Sequence, residues 1–83
     1  MRYTVACTKA ADGELAAIWI AAEDREAVSI AAHEIERALH EAPLDHGESR
    51  EDNQRIMFVA PLGVRYLMQA EDLRVVIIQF WTV

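Results

Sequence analysis

Cysteine is almost missing. Cys7 stands alone in the 83 residues, so no disulfide can close within the chain and no cysteine zinc cluster can be built. Lysine is as rare, with Lys9 the single example. No apolar run approaches the roughly 20 residues of a membrane span. The opening MRYTVACTKAADG lacks the apolar core of a signal peptide. A cytoplasmic protein with no membrane contact is the expectation. Basic charge is short overall, since 14 acidic against 8 basic side chains give a net charge of −6. The imbalance is uneven: residues 1–42 hold four basic and eight acidic side chains, and residues 43–83 hold four and six. An acidic chain repels phosphate at long range, so general nucleic-acid affinity and direct DNA binding are not expected. Repeats, low-complexity tracts and linkers are absent as well, which makes residues 1–83 one domain. At 53% hydrophobic the chain is too apolar for disorder. A chain this short buries only about 60–65% of its unfolded surface, so a partner covering apolar area would add to a marginal stability.

What is present is periodic. In 2-RYTVAC-7, Tyr3, Val5 and Cys7 alternate with Thr4 and Ala6, which predicts a strand. Thr8 can cap the helix that follows, on which Ala11, Leu15, Ile18, Trp19 and Ala22 share one face; Gly13 weakens its first turn, so the start could slip to Asp12. Glu23-Asp24 interrupts, and Asp24 is a good N-cap for a second helix. There Val28, Ala31, Ala32, Ile35, Ala38, Leu39 and Ala42 keep helical spacing until Pro43 ends it. So short a connection predicts an antiparallel helical hairpin. Three strand-like runs close the chain, 55-RIMFVA-60, 64-VRYLMQA-70 and 74-RVVIIQFWTV-83, broken at Pro61-Leu62-Gly63 and at Glu71-Asp72-Leu73. The last run is apolar on both faces, as a central strand is. The expectation is an α+β fold in the order β-α-α-β-β-β. Its sheet is mainly antiparallel and four-stranded, with the helical hairpin packed on one face.

The segment 47-GESREDNQRIMFVAPLG-63 holds Arg50 and Arg55 in one polar hinge that stops at an apolar strand. They are either solvated loop charges, worth about 0–1 kcal/mol per pair, or the rim of a surface that grips an anion. RNA cleavage would need cations for the phosphate, a base and an acid. Arg55, Arg65 and Arg74 supply cations at or near strand ends, and Glu48 or Glu51 could serve as base. His33 and His40 lie seven residues apart on the second helix, roughly 10.5 Å at 1.5 Å per residue, too far to share an ion without outside ligands. No metal and no cofactor is expected. Cys7 reads as a small buried hydrophobe. Among the aromatics, Trp19 and Phe58 fit core positions, whereas Phe80 and Trp81 point to opposite faces of one strand. The outward one, together with Tyr66, Arg65 and Arg74, is a candidate contact for a partner chain.

The layout resembles the RelE/ParE superfamily of toxins from type II toxin–antitoxin modules. The likeness runs through 3-YTVACTKAADGELAAIW-19 as first strand and helix, 43-PLDHGESRE-51 as helix exit and hinge, and 55-RIMFVAPLGVRYLMQAEDLRVVIIQFW-81 as the meander. It covers essentially the whole chain. The resemblance implies a toxin neutralised by a cognate antitoxin whose C-terminal segment wraps it, acting on mRNA at the ribosome or on DNA gyrase. In the mRNA-cleaving members an Arg opens the second strand, as Arg55 does here, and basic residues cluster near the position of Arg50. Those members also carry lysines and a C-terminal Tyr or His; this chain has Trp81 there, whose indole transfers no proton. An inactive member serving as a protein-binding or dimerisation module is the alternative.

Overall fold

The structure is a computed structural model. It describes the backbone of residues 2–45, 47–50 and 52–83; of Asp45 only the backbone is described. The chain order is β1 (Thr4–Cys7), α1 (Lys9–Ala21), α2 (Arg25–Glu41), β2 (Glu48–Ser49), β3 (Gln54–Val59), β4 (Leu62–Gln69) and β5 (Arg74–Thr82), with short 3-10 turns at Pro43–Asp45 and Ala70–Asp72.

Both helices start where hydroxyl or carboxyl oxygens are available. The Thr8 hydroxyl accepts from the amide of Ala11 at 3.1 Å, and the Asp24 carboxylate accepts from the amide of Ala27 at 3.0 Å. Gly13 therefore does not delay α1, which begins at Lys9. The C-terminal end of α1 has no basic residue of its own in its last turn. Arg25, opening α2, fills that role by donating to the carbonyls of Trp19 at 3.1 Å and Ile20 at 2.9 Å. Its guanidinium also lies 4.8 Å from the centroid of the Trp19 ring. The tight turn of the hairpin is thus braced by the residue that follows it.

Among the described residues the sheet has five strands in the order β1-β5-β4-β3-β2, one more than the four expected. β1 runs parallel to β5, and the remaining pairs are antiparallel. The extra strand, Glu48–Ser49, is two polar residues with no alternation to betray it. It pairs with β3 through a turn in which Asp52 (φ 58°) and Asn53 (φ 63°) take the left-handed region that their short polar side chains tolerate. The second reversal falls at Ala60-Pro61, so that Leu62 and Gly63 belong to β4 rather than to the break.

Register sorts the side chains into two faces. Leu62, Val64, Tyr66 and Met68 on β4 share a face with Met57 and Val59 on β3 and with Val75, Ile77 and Phe80 on β5. These pack with Ala11, Val28, Ala31, Ile35 and Leu39 from the helices into the core; Leu15 and Ile18 pack against it half-buried. Trp19 departs from the expected core set: it is 42% exposed, lies under Arg25, and its indole Nε1 donates to the Ser29 hydroxyl at 3.1 Å. Phe58 departs too. It is 59% exposed because its register partner on β4 is Gly63, on the face away from the helices.

Candidate functional site

The decisive local feature is a break in register on β5. Arg65 pairs with Gln79, whereas Tyr66 pairs with Ile77, so Ile78 is an extra residue. Without it, strict alternation from the buried Val75 and Ile77 would send Trp81 inward and Phe80 outward. With it, Phe80 joins the core and Trp81 turns to the outer face. The backbone amide of Phe80, beyond the end of β1, donates instead to the Glu14 carboxylate at 3.2 Å.

Trp81 lies against Gly63. A Cβ at position 63 would sit 2.5 Å from the indole Cε2 and Nε1, so only glycine lets the ring lie on the backbone of β4. Phe58 meets the same indole edge-on, with ring centroids 6.0 Å apart and planes at 83°. A row Phe58–Gly63–Trp81 therefore crosses the outer face. The neighbouring row is Ile56–Arg65–Gln79, and beyond it come Leu67 and Val76. Arg65 donates to the Gln54 side-chain carbonyl at 3.0 Å, a neutral partner that holds the guanidinium without cancelling its charge. Arg74 is exposed at the start of β5, where its register partner Gln69 follows Leu67 on the outer side. At the far edge, Arg50 donates to the Glu48 carboxylate at 3.1 Å and to the Ser49 carbonyl at 3.1 Å.

Arg55 does not join that set. It pairs in register with Tyr66 and so lies on the helix side of the sheet. Its Nη2 donates to the Gly47 carbonyl at 3.1 Å. The Tyr66 ring is fully buried, and its hydroxyl donates to the Pro43 carbonyl at 2.8 Å. Burial pushes the Tyr66 phenol above its ordinary value, while a hydrogen bond and the charge of Arg55 pull it partly back. Gly47 completes the corner: at φ 72°, any Cβ would lie 2.5 Å from the Ile56 carbonyl oxygen and 3.1 Å from the Tyr66 hydroxyl. Arg55, Tyr66, Gly47 and Pro43 thus clamp the hinge over the end of the core.

Of the residues singled out from sequence, Trp81, Arg65 and Arg74 share the outer face, with Arg50 at its rim. Phe80 and Tyr66 are core residues and present no surface to a partner. Arg55 and Arg50 belong to one polar run of the chain but are held by different contacts, one on the inner side and one exposed. Glu48 stands on the rim with Arg50, and Glu51 lies outside the described residues. Phe58 and Gly63 were missed. Both faces of β3 are apolar, so alternation carried no sign of which way Phe58 points. His33 is exposed, and the half-buried His40 uses Nδ1 to donate to the Tyr3 carbonyl at 2.7 Å, tying β1 to α2. Cys7 is half-buried, and its thiol is pushed up to about 12 by burial first, then by a hydrogen bond to and the charge of Asp12, with Glu14 and Glu36 adding to it.

A second apolar surface flanks α1. One groove of about 770 Å³ runs between the hairpin turn and the end of the sheet, lined among others by Ile18, Val28, Pro61 and Thr82. Another of about 380 Å³ lies between the helices beside Trp19, Ile20 and Ala32. Ile20 and Ile30 are 65% and 52% exposed.

Solved structures share this architecture. A chain of the RelBE2 toxin–antitoxin complex from Mycobacterium tuberculosis matches 100% of this chain and 93% of its own length, with a TM-score of 0.78 at 19% identity. The two chains share one fold. The chromosomal ParDE toxin–antitoxin system of P. aeruginosa matches at TM-score 0.74 and 15% identity over 99% of this chain and 97% of that one. The E. coli RelBE toxin–antitoxin complex matches at 0.70 and 14% over 98% and 96%. No family model matches the sequence, and no curated protein does. At such identities the RelE/ParE likeness resides in the backbone path, and residue roles have to be argued from the residues themselves.

Proposed function

We propose that this protein is a RelE/ParE-like toxin component whose apolar surfaces are covered by a cognate antitoxin. The observation that carries the reading is the whole-chain match to three toxin–antitoxin proteins. Physical support comes from the exposed apolar residues on an 83-residue chain, in the grooves along α1 and on the outer sheet face. A chain with a small core gains stability from such a cover, in proportion to the apolar area removed from water.

The target is translation, through mRNA on the ribosome, or DNA gyrase. The outer face favours binding over bond-breaking there. Its cations are arginines, which hold phosphate or carboxylate but do not exchange protons near neutral pH. Trp81 supplies no acid. Inducing this chain alone should slow bacterial growth, and co-expressing the product of the adjacent short reading frame should restore it. Ribosome-bound mRNA should show little or no cleavage. Normal growth at verified soluble expression would overturn the toxin reading. It would leave the second one, an inert binding or dimerisation module in the RelE/ParE fold, which the apolar outer face and Trp81 favour.

A further inference from the structure

Helix α1 is apolar nearly all round. Ala11, Leu15 and Ile18 pack on the core, as the helix must. The opposite side carries Lys9, Gly13, Ala16, Ala17 and Ile20 at helical spacing, and all five are exposed. Of the two acids on the helix, Glu14 accepts from the Phe80 amide and Asp12 bonds the Cys7 thiol. Ile20 is 65% exposed, whereas a Cβ added at Gly13, two turns back in the same row, would meet nothing within 4 Å. A protruding side chain and an open position thus stand in line. The row borders the groove of about 380 Å³ between the helices, through Ala16 and Ile20. Lys9, its one cation, sits in the first turn, where the helix dipole disfavours positive charge. Neither Lys9 nor the exposed Glu23, just past the other end, makes an ion pair among the described residues.

We propose that this side of α1 is a homodimer contact. Two copies pack α1 on α1, antiparallel, about a two-fold axis between Ala16 and Ala17. Ile20 of each copy fills the space over the partner's Gly13, and Lys9 meets the partner's Glu23. The inference goes beyond the toxin reading and does not depend on it, and the outer sheet face stays open for an unlike partner.

Shape and charge select a second copy. An isologous contact needs a surface that complements itself. One antiparallel register seats both isoleucines over both glycines at once, and the same register sets Ala16 against the partner's Ala17. Small residues at the crossing let the axes approach to about 8 Å, the near limit for packed helices. Charge asks for the same orientation. Antiparallel packing carries Lys9 from the positive end of its own helix to the negative end of the partner's, beside Glu23, about 10 Å from the axis at 1.5 Å per residue. A parallel pair would set Lys9 on Lys9. Elsewhere like charge keeps two copies of a −6 chain apart, since α2 turns Glu26, Glu34 and Glu41 to solvent. A lipid surface fits less well: anionic headgroups repel the acidic chain, and one lysine is too few to hold them.

The test follows the purified full chain, ¹⁵N-labelled, by sedimentation equilibrium and NMR from about 10 μM to about 1 mM. One helix pair lies at the small end of specific interfaces, so dimerisation with a Kd on the order of 100 μM is expected. Rising concentration should shift the amides of residues 9–23 and leave β3 and β4 unmoved. Ile20→Gln, at an exposed position, should weaken association about tenfold or more with little change in Tm. Gly13→Ala favours the helix yet occupies the open position, so Tm should hold or rise while the dimer weakens. Lys9→Glu and Glu23→Lys should each weaken association about threefold, the scale of an exposed ion pair, and the two together, which rebuild the pair with reversed sign, should restore it. A monomer throughout the range, shifts centred on the sheet, an Ile20→Gln variant that associates like wild type, or a double charge variant no better than the singles would each overturn the proposal. So would α1 amides that move only on adding phosphatidylcholine vesicles or the product of the adjacent reading frame.

Discussion

Replacing Tyr66 by Phe deletes one oxygen from the largest fully buried side chain among the described residues and separates packing from polar bracing. The ring stays, so the apolar contacts with the helices stay. What disappears is the 2.8 Å bond to the Pro43 carbonyl and the acceptor that Arg55 uses. Pro43 is itself fully buried, so its carbonyl loses a donor that water cannot readily replace. A buried acceptor left unmatched costs about 1–3 kcal/mol. For a domain of this size each kcal/mol lowers Tm by roughly 4–8 °C, so a drop of at least about 4 °C is expected. The alkaline limb supplies an independent check. Because the folded phenol is held above its ordinary value of 10.0, the folded state keeps a proton that the unfolded chain gives up. That contribution is fully present below pH 10 and is lost as pH rises through the higher folded value, with a slope of at most about 1.4 kcal/mol per pH unit. Chemical denaturation from pH 7 to 11 should show the wild type losing stability above pH 10 more steeply than Tyr66→Phe. A variant equal to wild type in Tm and in alkaline slope would refute the clamp, and with it the structural role assigned to Arg55.

Two further outcomes follow from other contacts. Arg25→Ala removes the donor to the Trp19 and Ile20 carbonyls and the cation over the indole, and should cost about 1–2 kcal/mol, read as a lower Tm and an altered Trp19 fluorescence; unchanged values would show that the hairpin turn is held by packing alone. Cys7, with its thiol pushed up to about 12, should react with disulfide reagents at pH 8 far more slowly in the folded chain than in urea, and stability should decline from about pH 9, the unfolded value, upward; labelling as fast as that of a free thiol would contradict the environment given to it by burial and by Asp12.

The helices and the order of elements were legible because their signals are local. Thr8 and Asp24 cap where their side chains can reach the next free amides, and the Val28–Ile35–Leu39 stripe has only one way to face a sheet. The fifth strand was not legible, since Glu48-Ser49 carries no apolar alternation and exists only through its bonds to β3. Arg65 was a readable marker of the outer face. β4 alternates Leu62, Val64, Tyr66 and Met68 with Gly63, Arg65, Leu67 and Gln69, so one charged residue labels its whole side. β5 offers no such label, being apolar on both faces from Val75 to Ile78.

There the bulge decides, and a bulge is a property of pairing rather than of one strand. Period two alone puts Phe80 and Trp81 on opposite faces but cannot say which is inside. The answer was nonetheless latent in a residue two elements away. Gly63 is the one position on β4 where an indole can lie on the backbone, and its partner across the ladder is Trp81. A pair of that kind can be sought in any meander whose last strand is apolar on both faces: the glycine names the face, and the large aromatic opposite it belongs there. Applied here, it turns Trp81 outward beside Arg65 and leaves Phe80 to the core. The surface so made sets an indole and a guanidinium on one face of an acidic protein.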